Sequence, residues 1–109
     1  MTRGDLIVVA VPGDYGKPRP ALIVQSDLFN ETHASITMAP ISSTIVDTPL
    51  FRVTIEPSRR NGLRVVSQIM VDKVTTIPAS KLGYRIGRLD DENVTRLDRA
   101  LMIHLGLAG

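Results

Sequence analysis

Arg19 is the residue whose type and setting most directly indicate chemistry. It lies between Pro18 and Pro20, just before the apolar run 21–24. Each proline fixes its own φ angle, and Pro20 also favours an extended backbone at Arg19. The sequence therefore predicts a guanidinium on a stiff segment at a strand entrance, where it can hold a phosphate through two hydrogen bonds. The competing interpretation is a surface arginine that only solubilises the strand end.

Two further segments carry polar groups beside predicted strands. Ser42, Ser43 and Thr44 follow one apolar segment. Their hydroxyls can donate to a phosphate, although a hydroxyl-rich turn has the same composition. Asp72 and Lys73 interrupt the apolar residues of another segment. Both an exposed ion pair and a pair that faces a substrate fit that pattern.

Structural roles explain the remaining candidates better than chemistry does. Asp90, Asp91 and Glu92 are consecutive, so their side chains point in different directions and suit helix capping better than a shared metal ion. His33 lies in a polar connection, and His104 lies where a protonated imidazole suits the end of a helix. An acid–base pair of these histidines is the less favoured interpretation. We predict no metal site and no cofactor.

Short apolar segments separated by turn residues predict the elements that position these groups. Their spacing is typical of a compact, mostly antiparallel sheet or barrel. Asn61 and Gly62 indicate a turn between the last two segments, and Arg59 and Arg60 indicate a loop wider than two residues. The predicted strands cover residues 6–11, 21–25, 35–39, 50–55 and 63–71.

The last twenty residues predict an amphipathic helix. Asp90 or Asp91 can cap its start, and Gly106 can end it. Between them, apolar residues recur at helical spacing, at Val94, Leu97, Leu101 and Leu105. A terminal helix packed on short strands gives a β-rich α+β class, in a single domain spanning residues 1–109.

Composition and charge limit the classes of function. The 109 residues include no cysteine, which excludes a disulfide framework, a thiolate metal site and a cysteine nucleophile. No apolar run approaches the roughly 20 residues of a membrane span, and the start does not have the form of a secretory signal, so we expect a cytoplasmic protein. Residues 1–89 carry an excess of four positive charges, and residues 90–109 an excess of two negative ones. This distribution is compatible with binding a polyanion through one face.

Taken in order, these segments resemble the MazF/PemK family of toxin endoribonucleases. The opening residues 3–7, Arg-Gly-Asp-Leu-Ile, are similar to the family's first strand, and residues 16–24 are similar to its most specific signature, which contains Arg-Pro. Ser42 and Ser43 lie in the segment where members usually carry threonine. Residues 67–77 resemble an acidic-Gln-x-Arg-Thr-Ile segment, and the terminal helix completes the order.

The resemblance implies an SH3-like β-barrel with a C-terminal helix, which works as a homodimer and has a cognate antitoxin. It implies metal-independent cleavage of single-stranded RNA at short motifs, leaving 2′,3′-cyclic phosphate and 5′-hydroxyl ends and inhibiting translation and growth. By the same resemblance, Arg19 grips the scissile phosphate, Ser42 matches the catalytic threonine, and Asp72 matches an acidic position near the 2′-hydroxyl. The expected substrate contacts are Asp14, Lys17, Ser43 and Lys73.

The chain departs from the family pattern at three positions near this site. Met70 stands where one branch places a proposed acid arginine, Lys73 replaces the usual glutamine, and Thr75 replaces the usual arginine. These departures put an arginine–aspartate acid–base pair in question.

Two alternative functions fit the predicted fold. A DNA gyrase poison of the CcdB type resembles this family, but such proteins end in Trp-Gly-Ile, and this chain has no tryptophan. A non-catalytic SH3-like binding module usually displays an aromatic groove. The chain has only four aromatic residues for such a groove, Tyr15, Phe29, Phe51 and Tyr84.

Overall fold

An antiparallel sheet of seven strands and a C-terminal helix form the computed structural model, which describes residues 1–10 and 17–108. The hydrogen-bonded order is β4-β5-β3-β2-β1-β7, and β6 pairs with β3. This arrangement confirms the β-rich α+β class. The elements are β1 (Asp5–Ala10), β2 (Pro18–Ile23), α1 (Asp27–Asn30), β3 (Ser35–Ser42), β4 (Arg52–Ile55), β5 (Ser67–Met70), β6 (Thr75–Pro78), β7 (Leu82–Arg88) and α2 (Asp91–His104).

Strand β1 is apolar at successive positions because both of its faces are buried. Leu6 and Ile7 are fully buried but belong to different clusters. The Leu6 cluster includes Leu97 and Ala100, so it lies between the sheet and α2. The Ile7 cluster joins the other face of β1–β3 to Ile77 of β6. Each large aliphatic side chain buried in this way contributes roughly 1.5–3 kcal/mol.

Helix α2 begins and ends close to where the sequence predicts. Asp90 holds the N-cap position, but its carboxylate accepts a hydrogen bond from the Asn93 side chain (2.6 Å) instead of capping a backbone N–H. After the helix, Gly106 adopts φ +75°, and the Leu107 N–H donates to the Met102 carbonyl (2.8 Å). This pattern closes the helix end at a residue that tolerates positive φ. Within residues 1–10 and 17–108, no helix is both long and apolar enough to span a bilayer.

The predicted strand 63–71 is wrong over its first four residues, because β5 covers only Ser67–Met70. The preceding residues form a loop organised by Asn61, which is 3% exposed. Its side-chain oxygen accepts from the backbone N–H groups of Ser58 (3.0 Å) and Leu63 (2.9 Å). The connection from β4 to β5 is therefore wider than a two-residue turn, as predicted.

Candidate functional site

Arg19 and Ser42 line the same groove, which we call the Arg19 groove. Its volume is about 850 Å³, and residues of five strands and of the β4–β5 loop surround it. The lining residues are Val8, Pro18, Arg19, Pro20, Pro40, Ile41, Ser42, Ser43, Thr44, Gly62, Leu63, Arg64, Val65, Ser67, Met70, Tyr84 and Ile86.

Arg19 lies at the start of β2, as the sequence predicts. It pairs with Val9 of β1, whereas pairing of β2 with β3 begins only at Ala21. The flanking Pro18 and Pro20 therefore occupy the one part of β2 where a missing N–H removes no bond to β3. The fully buried residues that follow anchor this exposed arginine on a rigid strand.

Ser42 is the last residue of β3 and is half-buried. Its hydroxyl oxygen accepts a hydrogen bond from the backbone N–H of Thr44 at 3.1 Å. A hydroxyl that accepts one bond still has its own hydrogen to donate. The arrangement fixes the oxygen and leaves its O–H able to contact an anion in the groove.

The described lining of the Arg19 groove carries positive charge. Among the described residues that line it, the charged ones are Arg19 and Arg64, and both are exposed. Ser43 and Thr44 add hydroxyls, and the Tyr84 side chain is 71% exposed. Guanidinium and hydroxyl groups suit phosphates, and an exposed aromatic ring suits a nucleobase.

Sequence reasoning misses Arg64 and Tyr84 as groove residues. Arg64 follows the recognisable turn at Asn61 and Gly62, but only the folded loop brings it to the side of β2. Tyr84 belongs to β7, whose residues show no regular alternation. Only Arg64 has a signal in the sequence, which is the cluster of arginines around the turn at Asn61 and Gly62.

Asp72 lies outside the lining of the Arg19 groove, in a short 3-10 helix (Val71–Lys73) after β5. Its carboxylate accepts two hydrogen bonds from Arg52 of β4, at 2.9 and 3.4 Å. Burial alone would raise the pKa of Asp72, but the Arg52 hydrogen bonds and positive charge outweigh it and hold the pKa below its ordinary value. The carboxylate is therefore firmly ionised near neutral pH.

The other predicted substrate contacts are placed as follows. Ser43 lines the groove beside Ser42. Lys17, immediately before β2, and Lys73, in the 3-10 helix, are exposed but do not line it. Asp14 lies outside the described residues. Met70 does line the groove, so a thioether occupies the wall at the position where one branch of the family places an arginine.

The two histidines occupy separate elements and do not line the groove. The His33 ring meets Phe29 edge-on with centroids 5.1 Å apart. His104 is exposed in the last turn of α2, as expected for a residue at the negative end of the helix dipole.

Arginines and an ordered hydroxyl in one groove suit a protein that acts on nucleic acids. The chain matches, over residues 2–105, the family described as PemK-like, MazF-like toxins of type II toxin–antitoxin systems. The chain belongs to this family.

Relatives and solved structures agree with this assignment. The toxin is 50% identical over 110 residues to the probable endoribonuclease MazF of Mycolicibacterium smegmatis, with 100% of each chain covered. It is 30% identical over 109 residues to the endoribonuclease EndoA of Bacillus subtilis, covering 96% of this chain and 94% of that protein. A mycobacterial endoribonuclease solved in complex with its cognate antitoxin has the same fold, with a TM-score of 0.86, 23% identity, and coverage of 100% of this chain and 98% of that one.

Proposed function

We propose that this toxin is an endoribonuclease that cleaves single-stranded RNA in the Arg19 groove without a metal ion. The observation that carries the proposal is the presence of Arg19 and Ser42 in the lining of one groove, whose described charged residues are both arginines. The chain is also 50% identical, over its full length, to a probable endoribonuclease.

The reaction is a transesterification within the RNA. The 2′-hydroxyl oxygen attacks the adjacent phosphorus, its proton leaves, the bond to the 5′ oxygen breaks, and that oxygen takes up a proton. The products are a 2′,3′-cyclic phosphate and a 5′-hydroxyl. Because nucleophile and phosphate belong to the same nucleotide, alignment alone supplies much of the acceleration.

Arg19 and Ser42 have distinct roles in this reaction. The Arg19 guanidinium stabilises the negative charge that grows on the phosphate oxygens, and it is a candidate to protonate the leaving oxygen. The Ser42 O–H donates a further hydrogen bond to the phosphate, while its oxygen is held by Thr44. The catalytic role expected of Asp72 near the 2′-hydroxyl remains a prediction, which requires the carboxylate to act from outside the groove lining or to leave Arg52.

The same proposal includes the assembly and the cellular context. The chain is one domain, residues 1–109, and its strands curve into an SH3-like barrel, a view supported by the burial of both faces of β1–β3. It forms a homodimer, binds a cognate antitoxin protein and acts in the cytoplasm. Membership of a toxin–antitoxin family supports the antitoxin partner.

Cleavage of a mixed single-stranded RNA in EDTA tests the proposal. We expect the wild-type protein to give ends that carry 2′,3′-cyclic phosphate. Arg19→Ala should lower kcat/KM by about 100- to 1,000-fold, as for loss of one preorganised donor. Ser42→Ala should lower it by about tenfold or more, because the lost hydrogen bond is to a charged group.

Arg59→Ala is the matched control, since Arg59 is an exposed arginine of the same chain that does not line the groove. It should cleave at the wild-type rate. Equal activity of Arg19→Ala and wild type, or cleavage that requires an added metal ion, would contradict the proposal.

A further inference from the structure

Residues 42–46 form a short arc that carries the hydroxyls of the Arg19 groove. Ser42, at the end of β3, pairs through its backbone with Gln68 of β5. Beyond it, Ser43, Thr44 and Ile45 are exposed and belong to no strand. The Thr44 N–H that fixes the Ser42 oxygen lies within this arc.

The Gln68 side chain holds the far end of the same arc. Its oxygen accepts from the Val46 N–H at 3.1 Å, and its amide nitrogen donates to the Val46 carbonyl at 2.9 Å. The second amide hydrogen goes to the Thr54 hydroxyl on β4, at 3.1 Å. Gln68 is 3% exposed, so this amide is buried and both of its hydrogens are used.

We infer that Gln68 is a positioning residue for RNA cleavage, which it serves by fixing the arc that presents the Ser42 hydroxyl. Gln68 contacts both ends of the arc: its backbone pairs with Ser42, and its side chain makes two hydrogen bonds to Val46, which we call the clamp. The inference rests on the proposed RNA-cleaving function of the Arg19 groove. It assigns Gln68 no contact with RNA, because Gln68 does not line that groove.

The surroundings of Gln68 indicate that its amide has a role other than filling space between the strands. It precedes the fully buried Ile69 and lies between β3 and β4 in the sheet. An apolar side chain would fill this position without the need to satisfy a buried amide. The amide instead provides two bonds to a loop that is otherwise exposed, and small displacements of a catalytic group can reduce rates by up to about 100-fold.

Gln68→Met tests the inference, with Thr54→Val as the matched control. Gln68→Met removes both bonds to Val46, whereas Thr54→Val removes only the third bond of the amide and leaves the clamp intact. Both changes leave one or more polar groups without their hydrogen-bond partner, so both should lower the melting temperature. We expect kcat for a short single-stranded RNA to fall about 10- to 100-fold in Gln68→Met, with KM little changed, and to stay within about twofold of wild type in Thr54→Val.

The exchange rate of the Val46 amide hydrogen shows directly whether its bond to Gln68 is present. The Val46 amide, which donates to Gln68 in the native protein, should exchange faster in Gln68→Met and stay protected in Thr54→Val. If Gln68→Met does not fold, Val46→Pro removes the same N–H from a residue that is 38% exposed, and the same fall in kcat is expected.

A double-mutant cycle with Ser42→Ala separates positioning from a general loss of stability. If Gln68 acts through the Ser42 hydroxyl, Gln68→Met should have no further effect on kcat in the Ser42→Ala background. An equal loss in both backgrounds, or equal kcat for Gln68→Met and Thr54→Val, would overturn the inference. Those outcomes leave the proposed function intact, since that function is tested separately by the activity of Arg19→Ala and by cleavage in EDTA.

Discussion

The Arg52–Asp72 pair is held in a geometry that stabilises the fold at neutral pH. The Arg52 and Asp72 side chains are only 15% and 22% exposed, and the guanidinium approaches both carboxylate oxygens. A pair of this kind is shielded from solvent more than a surface ion pair, so removal of one member leaves the other poorly solvated. The pair joins β4 to the 3-10 helix after β5, next to the strands that border the groove.

Asp72→Asn should destabilise the protein in a pH-dependent way. The pKa of Asp72 lies below its ordinary value of 3.8 in the folded protein, so its ionised form contributes stability above that pH. That contribution disappears as the pH falls through the lowered folded-state pKa. We expect a loss of about 1–3 kcal/mol in the free energy of unfolding at pH 7, from urea titrations, that narrows progressively in acid.

Glu31→Gln is the control for this charge change, because Glu31 is exposed and its replacement should leave the stability at pH 7 unchanged. A constant difference between wild type and Asp72→Asn from pH 7 to strong acid would contradict the assignment. Cleavage assays on the same variant, at a temperature where it is folded, test the predicted catalytic role of Asp72 separately from its structural one.

At the level of elements, the sequence predicts the helix and the strands whose apolar residues follow a regular pattern. Helix α2 and most of β1–β5 are predictable because their apolar residues repeat at the helical period or form continuous runs. Strand β7 is not, because Gly83 and Gly87 interrupt it. These glycines are required by tertiary neighbours: a Cβ at Gly83 would meet the Val8 carbonyl, and one at Gly87 would meet the Asn61 backbone.

Whether a site residue is predictable also depends on the element that carries it. Arg19 and Ser42 are each predictable as candidates because each flanks a recognisable strand, whereas the family resemblance is what predicts that they act in one site. Arg64 and Tyr84 are not, because they reach the groove only through the β4–β5 loop and through β7. The sequence does not predict the separation of Asp72 from the groove either. That separation follows from the pairing of β4 with β5, which places Arg52 opposite Met70.

Gly62 shapes the loop that brings Arg64 to the groove, and this role leads to a prediction. Gly62 adopts φ +72°, and a Cβ there would collide with the carbonyl of Ile86 on β7. Gly62→Ala should therefore be destabilising by more than the roughly 1–2 kcal/mol that a left-handed backbone imposes on other residues. It should also lower RNA cleavage, because Gly62 itself lines the groove.

Gly106→Ala is a matched comparison for Gly62→Ala. Gly106 has a similar φ of +75°, but a Cβ there meets nothing within 4 Å. Thermal denaturation should rank the variants as wild type, then Gly106→Ala, then Gly62→Ala, and only the last should lose cleavage activity. Equal melting temperatures for the two variants would show that the contact with Ile86 does not matter.

On the scale of the whole molecule, apolar side chains are exposed beside α2. Val46 and Leu50 of the β3–β4 loop and Ile103 of α2 line one shallow cavity of about 290 Å³. Leu50 is 64% exposed and Ile103 is 44% exposed, and Met102 adds to the apolar surface of the helix. Exposed apolar side chains that lie beside one another are typical of a protein–protein interface, which fits the expected homodimer.

Ile103→Asp should convert the homodimer to a monomer, because a buried unpaired carboxylate strongly opposes association. Light scattering after size exclusion should give twice the chain mass for the wild type and 11.9 kDa, the mass of one chain, for the variant.

Leu28→Asp is the control, since Leu28 on α1 is 82% exposed and does not line this cavity. Dissociation of Leu28→Asp as well would show that the effect is not specific to α2, and a wild type with the mass of a single chain at micromolar concentration would contradict the homodimer. Retention of the dimer by Ile103→Asp would place the interface on another face, because a carboxylate buried in an interface without a partner opposes association.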